Sequence, residues 1–258
     1  MDNVELARML PGAVPFRDLN RNPTWRAHIQ TESGIKPAFV KLIEPRSIFV
    51  ECACALLGRE LGLPIPKPSI VLITSEAISA FSEDQQVLAY GSEDVQHPSL
   101  LRMFSEDINH EKAFEVLAKH PQLLDVSVFD EWIANSDRHF SNILYGGDSD
   151  MYFIDHELAI PEALEVDKAT NDNQLLRTYF SEINELDKHR VRKKVESDII
   201  PQLNELPFAL LSEKSGATQF LDDEDIVAVI DFLSVRLEHL RVLFDERIKL
   251  RQKEIVNL

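Results

Sequence analysis

The stretch that decides the fold is Phe129-Asp130-Glu131-Trp132-Ile133-Ala134-Asn135-Ser136-Asp137-Arg138-His139-Phe140-Ser141-Asn142-Ile143-Leu144, followed by Tyr152-Phe153-Ile154-Asp155-His156-Glu157. Val126, Phe129, Trp132 and Ile133 fall at i, i+3, i+6 and i+7, so the stretch opens as a helix with one apolar stripe. Two short strands, Ile143 to Tyr145 and Met151 to Ile154, then surround Gly146-Gly147-Asp148-Ser149-Asp150. A hairpin returns its ends to within one strand spacing, ~5 Å, so Asn142 at its entrance and Asp155 at its exit converge. Asn and Asp supply the hard oxygens that Mg²⁺ takes, with waters and phosphate oxygens completing the octahedron. Asp137 precedes Asn142 by five residues on the same loop. A carboxylate there can accept or orient the proton of an attacking hydroxyl.

Outward from this stretch the chain divides in character. Trp25 to Gln30 and Ala38 to Ile43 alternate around a Gly34-bearing loop, Thr31 to Lys36, and predict a β-hairpin. Ser47 to Gly62 is helical, with Ser47 as N-cap and Gly62 as stop. Pro64, Pro66 and Pro68 hold the chain extended into a strand, Ser69 to Thr74. Another strand is expected at Val87 to Tyr90, before a polar crossing segment, Gly91 to Pro98. Beyond residue 100 helices dominate. The last places Ile226, Ile230, Leu233, Leu237, Leu240 and Phe244 at alternating steps of four and three, capped by Asp222 or Asp223, as a packing face. The expected fold class is α+β, with a small β-rich lobe over 1–90 and a larger, mainly helical lobe over 91–258.

Composition narrows the function classes. Asp and Glu number 44 against 27 Lys and Arg, a formal charge of −17 that repels phosphate backbones and anionic lipid. Nucleic acid and membrane surface are therefore not expected as partners. No run approaches the ~18 apolar residues of a membrane span, and Met1-Asp2-Asn3-Val4-Glu5 does not open like a signal peptide, so a cytoplasmic location is expected. Cys52 and Cys54, one residue apart, predict inert, half-buried thiols.

The spacing Asp137-x-x-x-x-Asn142 is that of a protein-kinase catalytic loop, and Asp155 stands where the Asp-Phe-Gly aspartate does. The order Asp-Arg-His is not His-Arg-Asp, however. The core Trp132-Ile133 … Asp137-Arg138-His139-Phe140-Ser141-Asn142-Ile143-Leu144 … Ile154-Asp155-His156 resembles the phosphoinositide kinases and, more closely, the bacterial HipA-like kinases. Val50 to Pro66, ending Gly62-Leu63-Pro64-Ile65-Pro66, resembles a second HipA-like segment. The resemblance implies a two-lobed protein-kinase-like fold with ATP and Mg²⁺ between the lobes. It implies Lys41 on the nucleotide phosphates and Glu51 on that lysine, with Glu60 as the rival glutamate. It makes Leu88-Ala89-Tyr90-Gly91-Ser92 the interlobe hinge, Tyr90 included. It also makes Thr31 to Lys36 the phosphate-covering loop, with Ser33 and Gly34 against the nucleotide and Ser33 or Thr31 as an autophosphorylation site.

The activity implied is a HipA-like serine/threonine kinase acting on a protein substrate, with a regulatory protein as a further partner. Asp137 is then catalytic, and Asn142 and Asp155 hold the metal. His139 is either a proton acceptor or phosphate contact, or a residue bracing the loop. Rival activities are a small-molecule or lipid kinase, and a nucleotide-binding scaffold with little turnover. The chain lacks an Ala-Pro-Glu segment, and Asp155-His156-Glu157 replaces Asp-Phe-Gly. His110-Glu111 lacks the second histidine of a zinc protease motif, and Tyr152 spoils a calcium loop begun by Asp148 and Asp150.

Overall fold

The computed structural model describes residues 1–16, 22–106, 110–181 and 183–248. Its N-terminal part is built from β1 (Glu5–Met9), β2 (Val14–Pro15), β3 (Thr24–Thr31), β4 (Gly34–Lys41), β5 (Pro68–Thr74) and β6 (Gln86–Glu93). They lie in the order β1-β5-β6-β4-β3-β2, and β1 also pairs with β3, so the sheet closes on itself. Alternation explains the closure. Small residues, Ala7, Ala27, Ala38 and Ala89, share the inner face with Met9, Ile29, Val40, Val71 and Ile73, and a narrow barrel has room for little more. The residues between them point outward, among them Lys41, which pairs with Thr24 on one side and Tyr90 on the other.

Against that outer face lies α1 (Pro45–Glu60), with Ile48 and Cys52 packed on Ile43, Ile70 and Tyr90. Its other side enters a second core with Phe129 and Trp132, so every residue from Ile48 to Gly58 is buried. A helix apolar all round is what such a sandwiched position requires. The helix starts two residues before Ser47, with Glu44 as N-cap, because Pro45 has the fixed φ and missing donor that suit the first turn. It stops at Leu61, where Gly62 takes φ +73.

The C-terminal part is helical: α2 (Leu100–Met103), α3 (Glu111–Ala118), α4 (Leu123–Trp132), α5 (Gln174–Ser181), α6 (Glu185–Lys194), α7 (Ile200–Asn204), α8 (Leu211–Ser215) and α9 (Asp223–Ile248). One hairpin, β7 (Ile143–Gly147) and β8 (Asp150–Phe153), interrupts it. The stripe on α9 packs on α4, and Trp132 donates its indole N–H to the Leu233 carbonyl at 2.9 Å. The chain is thus mixed α/β, strand-rich first and helical afterwards. The strand-rich part runs to Glu93, so a division at residue 90 would cut β6. Among the described residues no helix is long and apolar enough to cross a membrane.

Candidate active site

Three local features shape the loop between α4 and β7. Ala134 turns the chain with φ +55, and the Asn135 N–H returns to the Asp130 carbonyl at 2.8 Å. The Asn135 side chain donates to Asp130 Oδ1 at 3.2 Å and accepts the Asp137 N–H at 3.1 Å. Arg138 turns inward, only 2% exposed, and grips both carboxylate oxygens of Asp130 at 2.9 and 3.0 Å. Its remaining nitrogen donates to the Ile154 carbonyl, beside Asp155, and to the Asn142 carbonyl at 3.4 Å. Burial opposes the guanidinium charge, but Asp130 outweighs it and holds Arg138 above its usual range. One buried cation therefore fixes both ends of the hairpin to α4.

That clamp leaves Asp137 half-exposed at the loop's outer edge, its Oδ1 2.9 Å from Nε2 of the exposed His139. Asn142 spends its amide N–H on the Asp137 carbonyl at 2.8 Å, while its Oδ1 accepts from the Ser141 hydroxyl at 3.3 Å. The Ile154 N–H meets the Asn142 carbonyl at 3.0 Å, which brings Asp155 beside Asn142. Asp155 has φ +65, a left-handed conformation costly for a residue with a Cβ.

Lys41 faces three carboxylates. Its Nζ lies 2.7 Å from Asp155, 2.6 Å from Glu157 and 3.9 Å from Glu51. Burial works against the ammonium, but Glu51 and then Asp155 outweigh it, and the lysine is held charged above its ordinary range. Glu51, 1% exposed, has a nearer partner than Lys41: its Oε2 accepts the His156 N–H at 2.9 Å. Both carboxylate oxygens of Glu157 in turn accept from the Asn22 side-chain nitrogen, at 2.7 and 2.8 Å. Cys52 and Cys54 are wholly buried rather than half-buried, and burial together with Glu51 pushes both thiols up, away from the reactive thiolate.

Lys41, Glu51 and Asp155 therefore meet, with Asn142 and Asp137 on the adjoining loop. Tyr90 stands beside Lys41 as its cross-strand neighbour on β6; Ser33 and Gly34 do not join them. Pairing in the β3–β4 ladder continues to Thr31 and Gly34, leaving only Glu32 and Ser33 as the turn instead of a six-residue loop. Seven strand steps, roughly 23 Å, separate Gly34 from Lys41. The Ser33 hydroxyl is bonded to Glu5, at 3.0 Å to its nearer oxygen. The phosphate-covering role expected of Thr31 to Lys36 is thus corrected: that turn is at the far end of the strand. Tyr90 is buried mid-strand, between Lys41 of β4 and Ile70 of β5, and Leu88 to Ser92, expected as the hinge, lie within β6. Glu60 is exposed at the last residue of α1.

Glu157, Asn22 and Asp130 were not assigned from the sequence. Glu157 has a signal in its place two residues after Asp155, and Asp130 in standing eight residues before Arg138; Asn22 depends on a contact across the fold. Among the described residues no trio of His, Cys, Asp or Glu could hold a metal ion. Asn142 and Asp155 are the hard-oxygen donors here that could hold Mg²⁺, which takes one or two protein oxygens and completes its shell from phosphate and water.

A barrel lysine ringed by carboxylates, facing an Asn–Asp pair on a braced hairpin, belongs to the kinase class of phosphotransferases. A model of the HipA-like kinases matches residues 39–207, well over half of the sequence, and the chain belongs to that family. Among solved structures it is similar to the Helicobacter pylori proinflammatory kinase CtkA, with a TM-score of 0.51 at 12% identity, over 94% of this chain and 96% of that one. At that identity the likeness speaks for the fold. No curated protein was found to match.

Proposed function

We propose that this chain is an ATP- and Mg²⁺-dependent kinase that phosphorylates a serine or threonine hydroxyl of a protein. Its two parts are the lobes of a kinase-like fold, and the nucleotide lies between them. The observation that carries this reading is the meeting of Lys41 with Asp155, at 2.7 Å, beside Asn142. Two residues 114 positions apart in sequence there face one set of phosphate oxygens.

Each residue has a separable task. Lys41 holds the α- and β-phosphates, and Glu51 fixes the chain just after Asp155 as well as balancing the lysine. Asn142 and Asp155 would hold Mg²⁺, which supplies charge neutralisation on the phosphate oxygens when bound. Asp137 orients the acceptor hydroxyl and takes its proton as the oxygen bonds to the γ-phosphorus and the bond to ADP breaks. His139, paired with Asp137, shares that proton. Most of the rate enhancement then comes from positioning and charge stabilisation. The membership in the HipA-like family supports a protein acceptor.

The test is incubation with labelled ATP and Mg²⁺ in the presence of protein and metabolite acceptors, for wild type and Asp137→Ala. Label on protein serine or threonine, reduced about 10²–10⁴-fold in the variant, is expected. Label on metabolites only would replace the acceptor. ATP binding with no transfer to any acceptor would make the chain a nucleotide-binding scaffold.

A further inference from the structure

Of the three carboxylates on Lys41, two have tasks that keep them in place. Glu51 is buried and caps the His156 N–H, and Asp155 stands at the end of the braced hairpin. Glu157 differs. Its recorded partners, Lys41 at 2.6 Å and the Asn22 amide at 2.7 and 2.8 Å, both belong to the strand-rich part, whereas Glu157 itself follows β8. Its side chain is 15% exposed, and both its oxygens are occupied. A carboxylate oxygen on Lys41 is chemically what a phosphate oxygen would be, an anionic acceptor of an ammonium hydrogen. Both cannot hold the lysine in the same way, and side by side they repel.

We propose that Glu157 is an occluding residue, which takes the place of a phosphate oxygen on Lys41 and, latched by Asn22, ties the two parts of the molecule together. This rests on the nucleotide site described above. Entry of the triphosphate breaks the Glu157–Lys41 and Glu157–Asn22 contacts together, and the apparent affinity is the intrinsic one multiplied by the fraction of molecules in which they are already broken. Asn22 sharpens the inference because it carries no charge. Removing it loosens the latch without altering the electrostatics felt by the phosphates.

Stopped-flow and equilibrium binding of a fluorescent ATP analogue with Mg²⁺ test this in wild type, Glu157→Gln, Asn22→Ala and the double variant. The expected result is faster association and tighter binding, roughly tenfold for Glu157→Gln and a few-fold for Asn22→Ala. The double variant should gain no more than Glu157→Gln alone, since one latch is broken once. Thermal unfolding verifies each fold, and Glu157→Asp, one methylene too short to span both partners, substitutes if Glu157→Gln does not fold. Weaker binding by Glu157→Gln would place Glu157 inside the nucleotide site and overturn the proposal. Unchanged association in Asn22→Ala, or additive effects, would overturn it while leaving the nucleotide site intact. Absence of binding in wild type and every variant alike would overturn the nucleotide site itself, and the latch with it.

Discussion

Glu51 of α1 accepts a 2.9 Å hydrogen bond from the main-chain N–H of His156, the residue after Asp155. The helix glutamate thus serves the segment that carries the metal-site carboxylate more directly than it serves Lys41, 3.9 Å away. Arg46 adds a second tie, donating to the Ile160 carbonyl at 2.9 Å. With eleven successive buried residues, Ile48 to Gly58, α1 is wedged between sheet and helices. A swing of α1 away from the site would expose this surface, so the position of Glu51 is built in and not switched.

Glu51→Ala and Glu51→Gln should therefore behave differently. The alanine strands a buried N–H and costs about 1–3 kcal/mol of stability. The glutamine keeps an acceptor for His156 and costs less. Urea unfolding of the two variants checks this, and equal losses would show that the His156 contact contributes nothing.

Arg138 and Asp130 form a pair that is 2% and 1% exposed in its side chains. Asp130→Asn leaves the guanidinium buried without its counter-charge, a change that costs about 3–5 kcal/mol. Because the same guanidinium holds the Ile154 and Asn142 carbonyls, nucleotide binding should fall along with the melting temperature. A variant that melts near wild type would show that the hairpin is held by other contacts.

How far the sequence carries depends on the range of the contact. Asp137, Asn142 and Asp155 are legible because a single hairpin sets their relation, and hairpin geometry follows from local alternation and turn residues. Ser33 and Gly34 fall outside the site for the opposite reason. Alternation does not show where a strand ends, and pairing carried β4 back to Gly34 and β6 on to Glu93. Ser47 looked like the start of α1, but Pro45 was the stronger signal. The closure of the barrel by β1 and the Asn22–Glu157 contact are not legible, since each joins segments that no short-range pattern relates.

Glu5 offers a pH test apart from the site. Lys67 at 2.8 Å, with Thr31, Lys36 and Ser33 adding to it against burial, lowers its carboxyl from 4.5 to about 2. A folded-state value below the ordinary one stabilises the fold above pH 4.5, and the contribution is lost as the pH falls from there through 2. Glu5→Gln should lower the melting temperature near neutrality, and the gap to wild type should close over that window. A gap constant from pH 6 to 2 would mean the carboxylate charge is not what holds Lys67.

The most direct test of the central claim is calorimetric ATP binding with and without Mg²⁺ by wild type, Asp137→Ala and Asp155→Asn. The account predicts that Asp137→Ala binds ATP with Mg²⁺ much as wild type does, since it acts on the acceptor. Asp155→Asn should lose the affinity that Mg²⁺ adds, about tenfold or more. Equal loss in both variants, or no effect of Mg²⁺ on the wild type, would contradict it.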